Sequence, residues 1–240
     1  MKNPMMSRTI TDRISRHQGD KTTEAVRFDP EALQQIRQLI RSGEGERIEF
    51  KAKANHPDKI ARSLVSFANS SGGVLLLGVH DDGSIKGIRF PEEDVTAISR
   101  ILKTARPGFR WRYRIVAVSA RQWVVRFEVS EARRKPVILR MDAAAVFIRV
   151  GDQSLQAGLV TAEVLRRRTS ASGSLIRYDA QEESLLEVLR SEPVGISFQR
   201  LQQRTRLGKK ILCERLAGLA VTGVVRIRHI AGEEIFQSNS

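Results

Sequence analysis

Six consecutive residues, Val74-Leu75-Leu76-Leu77-Gly78-Val79, limit the possible folds more than any other stretch of this 240-residue chain. Successive side chains of a strand point to opposite faces. A strand that is apolar at every position therefore needs cover on both faces, which places it at the centre of a layered α/β structure. The flanks agree. Pro57 opens a predicted helix whose buried stripe is Ile60, Leu64, Phe67 and Ala68, and Ser70-Ser71-Gly72-Gly73 ends it. Asp81-Asp82-Gly83-Ser84 reads as a tight turn, with Gly where a positive φ is cheap. Upstream, Ile48 and Phe50 alternate with Glu49 and Lys51, a strand expected to hold Glu49 and Lys51 on the face away from the core. Residues 43–88 thus read as strand, helix, strand, turn, strand, with carboxylates at two loop ends, Glu44/Glu49 and Asp81/Asp82.

Three motifs in this unit occur in a telling order: Glu44 with Glu49-Phe50-Lys51, then Ser66-Phe67-Ala68-Asn69-Ser70-Ser71-Gly72-Gly73, then Leu76-Leu77-Gly78-Val79-His80-Asp81-Asp82-Gly83. Together they resemble the Schlafen-type AlbA-like domain, over roughly residues 30–165. Gly45 stands where that pattern often has Ser, and His80 where the turn often has an acid. The resemblance implies a nucleic-acid-directed α/β (α+β) fold with a mixed sheet. In the Schlafen branch it also implies a metal-dependent RNA-cleaving site, whose acidic residues map to Glu44, Glu49 and either Asp81 or Asp82.

Charge points the same way. Lys and Arg number 41 against 27 Asp and Glu, a net +14, which suits an anionic partner. Residues 30–169 hold 25 basic and 15 acidic residues, so most of the excess lies on the α/β region rather than on a tail. No apolar run approaches the ~20 residues of a spanning helix, and the polar N-terminus lacks the apolar segment of a signal peptide. One cysteine, Cys213, rules out an internal disulfide and suits a reducing, cytoplasmic setting. One cysteine and four scattered histidines do not make a structural zinc site of the usual kind.

The rest of the chain divides by composition. Residues 1–28 are polar and aperiodic and read as a mobile arm. An AlbA-like domain is expected over 29–168, a small-residue linker over 169–177 and a second domain over 178–240. Asp29-Pro30 starts a helix carrying Leu33, Ile36 and Ile40, which ends at Ser42-Gly43. A helix is predicted over 91–106. A hairpin follows, with Trp111, Tyr113 and Ile115 on one face and Arg110, Arg112 and Arg114 on the other, spaced to meet successive phosphates. A plain solvated sheet face explains the same arginines about as well. Residues 137–140 and 145–150 read as two further strands, and 161–168 as a closing helix.

The last 63 residues read as three helices and a hairpin, the order of a winged helix-turn-helix. Its third helix, from Lys209, would present Lys209 and Lys210 to a major groove with Arg206 just before and Arg215 further along; Arg226 and Arg228 would form the wing. Residues 197–228 contain eight basic residues and one acid, Glu214.

Three functions fit. The preferred one is a DNA-binding transcriptional regulator, in which the C-terminal helix reads bases and the basic α/β domain grips backbone; it needs no cofactor. The second is a metal-dependent nuclease in which Glu44, Glu49 and Asp82 hold Mg²⁺ or Mn²⁺ and Lys51 steadies the transition state. Acidic turn residues are common and Glu44 and Glu49 have cations nearby, so binding ranks above catalysis. The third is a nucleic-acid-binding component of a mobile-element or phage-defence assembly. DNA is favoured over RNA as partner, a membrane is not expected, and a homodimer or larger assembly fits a winged helix, although no heptads are visible.

Overall fold

In the computed structural model the described residues are 29–143, 145–168 and 179–239, together with the backbone of 13–16. The linker expected at 169–177 and most of the arm expected at 1–28 lie outside them.

The central strand is where its sequence places it. A five-stranded sheet has the order β1-β4-β5-β3-β2: β1 (Arg13–Arg16), β2 (Ile48–Lys51), β3 (Gly73–Leu77), β4 (Trp111–Ser119) and β5 (Gln122–Val129). β2 and β3 run parallel and the other pairs antiparallel. Helix α1 (Pro30–Ser42) covers one face, packing Ala32, Leu33 and Ile36 on Phe50, Leu76, Val116 and Val124. Helices α2 (Pro57–Asn69) and α3 (Pro91–Leu102) cover the other, packing Ile60, Leu64, Phe67 and Ile98 on Leu75, Leu77, Val125 and Phe127. Leu75, Leu76 and Leu77 are all fully buried, as a two-sided strand requires. Local signals set the helix ends. The Asp29 carboxylate accepts from the Ala32 N–H at 2.9 Å, and Gly43 closes α1 at φ 74°.

Three expectations need correction. The arm is not wholly unpaired: β1 lies along β4, Arg13 opposite Ile115 and Arg16 opposite Arg112, because β4 is otherwise an open edge. Residues 137–140 form no strand; Ile138 makes one isolated bridge with Arg106, and a short helical turn follows over Arg140–Asp142. No strand follows the Asp81–Ser84 turn, where Ile85 and Ile88 make only isolated bridges with Val79 and Trp123; the strand expected at 145–150 is β6 (Phe147–Val150), which forms a second hairpin with β7 (Gln153–Gln156).

Helix α4 (Leu159–Arg168) shares its residues between two cores. Ala162 and Leu165 pack with Val146 and Ile148 of the hairpin, while Val160 and Val164 join the C-terminal core. That core gathers α5 (Ala180–Arg190), α6 (Phe198–Thr205) and α7 (Lys209–Val221) over a three-stranded sheet of order β8-β10-β9: β8 (Ile196–Ser197), β9 (Val225–Ile230) and β10 (Glu233–Ser238). Asp179 and Ser197 cap α5 and α6 with their side chains. Among the described residues no helix is long and apolar enough to cross a membrane.

Candidate nucleic-acid interface

The expected carboxylate cluster is not assembled. Glu49 is 5% exposed, because the sheet face it occupies is covered by α2 and the β6–β7 hairpin rather than open to solvent. Its Oε1 accepts from Ser63 Oγ at 3.0 Å and pairs with Lys51 Nζ at 2.7 Å; its Oε2 pairs with Arg149. Glu44 turns its Oε1 to the Phe50 N–H at 2.6 Å and so holds the loop before β2 against the strand. Asp82 lies exposed in its turn, where its Oδ1 accepts from the Ser84 N–H at 2.8 Å. Hydrogen bonds from the Ser84 side chain and backbone hold its carboxyl below the usual range. Among the described residues no three His, Cys, Asp or Glu side chains come together. The donors proposed for Mg²⁺ or Mn²⁺ are thus engaged by protein N–H, O–H and cationic groups, and they do not fit a metal as a set.

The residue that organises this region is Arg149, which the motif reading missed. Its side chain is 1% exposed. Nε and Nη2 donate to the Gly45 carbonyl at 3.0 and 2.9 Å, and Nη2 also reaches the Ile48 carbonyl at 3.1 Å. Nη1 meets Glu49 and Ser154, and the guanidinium stands 5.0 Å from the Phe67 ring centre. Asn69 completes the arrangement: its amide donates to the carbonyls of Val137 (2.9 Å) and Phe147 (2.8 Å) and accepts from the Val137 N–H (2.7 Å). Two of the three sequence motifs therefore meet in a buried polar clamp that fastens the hairpin to α2 and β2. The available signal was one cation inside an otherwise apolar strand, Phe147-Ile148-Arg149-Val150, which demands a buried partner.

The arginine face of β4 is largely neutralised. Arg114 pairs with Asp29 at 2.7 Å, and Arg112 and Arg126 bracket Glu128. Arg126 also donates to Gln35 at 2.9 Å, so these cations tie α1 to the sheet instead of standing free in a row. Arg110 differs: it is exposed and has no ion pair among the described residues.

Arg110 lines a groove of about 1000 Å³ at the end of the sheet. Arg47 stands on the groove's opposite wall, exposed and also without an ion pair among the described residues. Ser71-Gly72-Gly73 forms part of the wall between them, with Phe109 and Trp111 as its apolar part. The backbone there is tight: a Cβ on Gly72 would stand 2.7 Å from the Val129 carbonyl oxygen, and Gly72 has φ +72°. Arg126 lines the same groove, and its buried Nε has no hydrogen-bond acceptor among the described residues.

In the C-terminal unit Arg206, Lys209 and Lys210 are exposed where α6 turns into α7, and Arg226 and Arg228 are exposed on one face of β9. Arg215 is not available to a ligand in the same way. It lies against α5, bonded to Asp179 at 2.7 Å and to Glu182, and its guanidinium holds the Asp179 carboxyl below the usual range.

Residues 44–158 match the model of the Schlafen, AlbA_2 family. No curated protein matches the chain in sequence. Among solved structures, the DIP2311 protein from Corynebacterium diphtheriae is similar over 86% of this chain, with 16% identity and a TM-score of 0.41; the chain spans 51% of that protein's length.

Proposed function

We propose, with the Schlafen, AlbA_2 match as premise, that this chain is a nucleic-acid-binding protein whose α/β domain grips a sugar–phosphate backbone in the groove between Arg47 and Arg110. The observation that carries the reading is the contrast in pairing. Arg112, Arg114, Arg126 and Arg149 are engaged by Glu128, Asp29 and Glu49, whereas Arg47 and Arg110 have no such counter-charge among the described residues and stand beside a concave wall. Free cations along a groove attract phosphate by releasing condensed counterions, independently of sequence. Binding is supported over metal-dependent cleavage because both oxygens of Glu49 are already taken. The order α5-β8-α6-α7-β9-β10, with the exposed Lys209 and Lys210 at the start of α7, supports a winged helix-turn-helix and a DNA-binding regulator.

The test is fluorescence anisotropy with labelled duplex DNA, duplex RNA and single strands over a salt series, with and without Mn²⁺. The Arg47→Glu/Arg110→Glu variant should bind at least about tenfold more weakly, with a salt slope smaller by roughly two, since each arginine neutralises about one phosphate. Unchanged affinity in that variant refutes the groove. Cleavage in Mn²⁺ that Glu49→Gln abolishes refutes the preference for binding over catalysis.

A further inference from the structure

A second groove lies beside the first, and the two share part of a wall. It encloses about 700 Å³ between the 131–135 loop, α4 and β9 of the C-terminal unit. Ser71 and Glu131 line both grooves, so the two meet there. Different parts of the chain build its sides. Thr161, Leu165 and Arg168, at positions i, i+4 and i+7, present one face of α4. The loop is fastened to the end of α2: the Ala132 N–H donates to the Ala68 carbonyl at 2.8 Å, and Lys135 Nζ donates to the Ser70 carbonyl at 2.9 Å. Arg133 therefore stands on a fixed support. His229 of β9 adds the third side; burial lowers its pKa, so at neutral pH it carries no charge.

The pairing contrast of the first groove recurs here. Arg149 in the wall is engaged by Glu49, and Lys135 by Glu131 at 2.7 Å. At the end of α4, Arg166 and Arg167 both pair with Glu163. Arg168, the next residue, lines the groove, is exposed and has no ion pair among the described residues. Arg133 is in the same state on the loop side. The helix dipole accounts for a cation at the end of α4, but not for Arg133, which is on a loop. Glu131 is the one carboxylate lining this groove among the described residues, and Lys135 already answers it. Two uncompensated arginines thus stand on each side of the junction at Ser71, which is itself exposed.

We propose that the two grooves form one track, in which a single sugar–phosphate strand passes from Arg47 and Arg110 over Ser71 to Arg133 and Arg168 and reaches the C-terminal unit at His229. The proposal rests on the α/β groove reading above and extends it. Helix α4 packs into both cores, so it fixes the C-terminal unit beside the α/β domain and the second groove beside the first. A strand already held by Arg47 and Arg110 then enters the second groove as an intramolecular step, at high effective concentration. The added contacts are to phosphate, so they add affinity without adding sequence preference.

The experiment uses the full chain and labelled mixed-sequence single strands, in a ladder of lengths from a few nucleotides upward, titrated by anisotropy over a salt series. The wild type should bind one long strand per chain, with affinity that climbs once a strand can enter both grooves. Arg133→Glu/Arg168→Glu should weaken the long strand at least about tenfold, with a salt slope smaller by roughly 1.4, since each arginine meets about one phosphate of a single strand. Both side chains are exposed, so the thermal midpoint should not move. Glu131→Gln, which removes the carboxylate at the junction, should strengthen binding about threefold. Unchanged long-strand affinity in Arg133→Glu/Arg168→Glu overturns the proposal. So does a stoichiometry of two strands per chain, which makes the grooves separate sites, and so does a Glu131→Gln variant that binds like the wild type. The Arg47→Glu/Arg110→Glu variant, measured beside these, separates the two readings. A loss confined to that variant refutes the track and leaves the first groove standing, whereas a loss confined to Arg133→Glu/Arg168→Glu refutes the first groove and the track with it.

Discussion

Replacing Arg149 by Met tests whether the buried clamp holds the α/β domain together. The substitution keeps an unbranched side chain of similar reach but leaves Glu49, whose side chain is 6% exposed, without its buried cation. Removing one partner of a buried ion pair costs roughly 3–5 kcal/mol. The carbonyls of Gly45 and Ile48 lose their donors as well. Lys51 stays on Glu49 at 2.7 Å, and with 37% exposure it gives partial relief, so the lower end, about 3 kcal/mol, is expected. Adding Glu49→Gln removes the stranded charge and should return the total cost to about 1–2 kcal/mol, that of unmet hydrogen bonds. Both tryptophans, Trp111 and Trp123, lie on the sheet, so their fluorescence in urea follows this domain and not the C-terminal unit. With a slope near ~2 kcal/mol/M, the midpoint should fall by about 1.5 M for Arg149→Met and by about half of that for the double variant. A single variant that loses less than ~1 kcal/mol refutes the reasoning, as does a double variant as unstable as the sum of its parts, because coupled groups do not add.

Two further outcomes follow from the same contacts. Asn69→Ala removes three buried hydrogen bonds to Val137 and Phe147 and should cost about 3 kcal/mol in the same fluorescence titration; a cost under ~1 kcal/mol would show that the hairpin is held by its apolar contacts alone. Asp179, held below its ordinary value of 3.8 by Arg215, binds protons more readily in the unfolded chain. Its contribution is therefore complete above that value and lost as pH falls through the lower folded one, so acid should lower the helical thermal midpoint of the wild type more than that of Asp179→Asn.

The regular parts of the fold were legible because their signals are local. An all-apolar run at 74–79 forces a two-sided strand, and Asp29-Pro30 with Ser42-Gly43 bounds a helix, whatever surrounds them. The misses share a different cause. Alternation points Glu49 outward because it says which residues share a face, not what covers that face. Its partner Arg149 is 100 residues away, and only the docking of the β6–β7 hairpin on α2 brings the two together. Arg112 and Arg114 read as a row of free cations because Asp29 and Glu128 are their neighbours in space and not in the local pattern. Of the short hairpin strands, β6 shows in the sequence at 145–150, whereas β7, four residues over Gln153–Gln156, carries too little periodicity to be told from loop.

Residue order alone specifies a basic chain with a central buried strand, a helix before and after it and a helical C-terminal segment. These follow from residue type and from periods of two and about four, which act over a few residues. Long-range packing sets which charges have partners, commits Glu44, Glu49 and Asp82 to hydrogen bonds and ion pairs, and lays α4 against both α7 and the β9–β10 hairpin. Pairing and cover depend on which distant segments come to within a few ångströms, and that is set by packing the layers together.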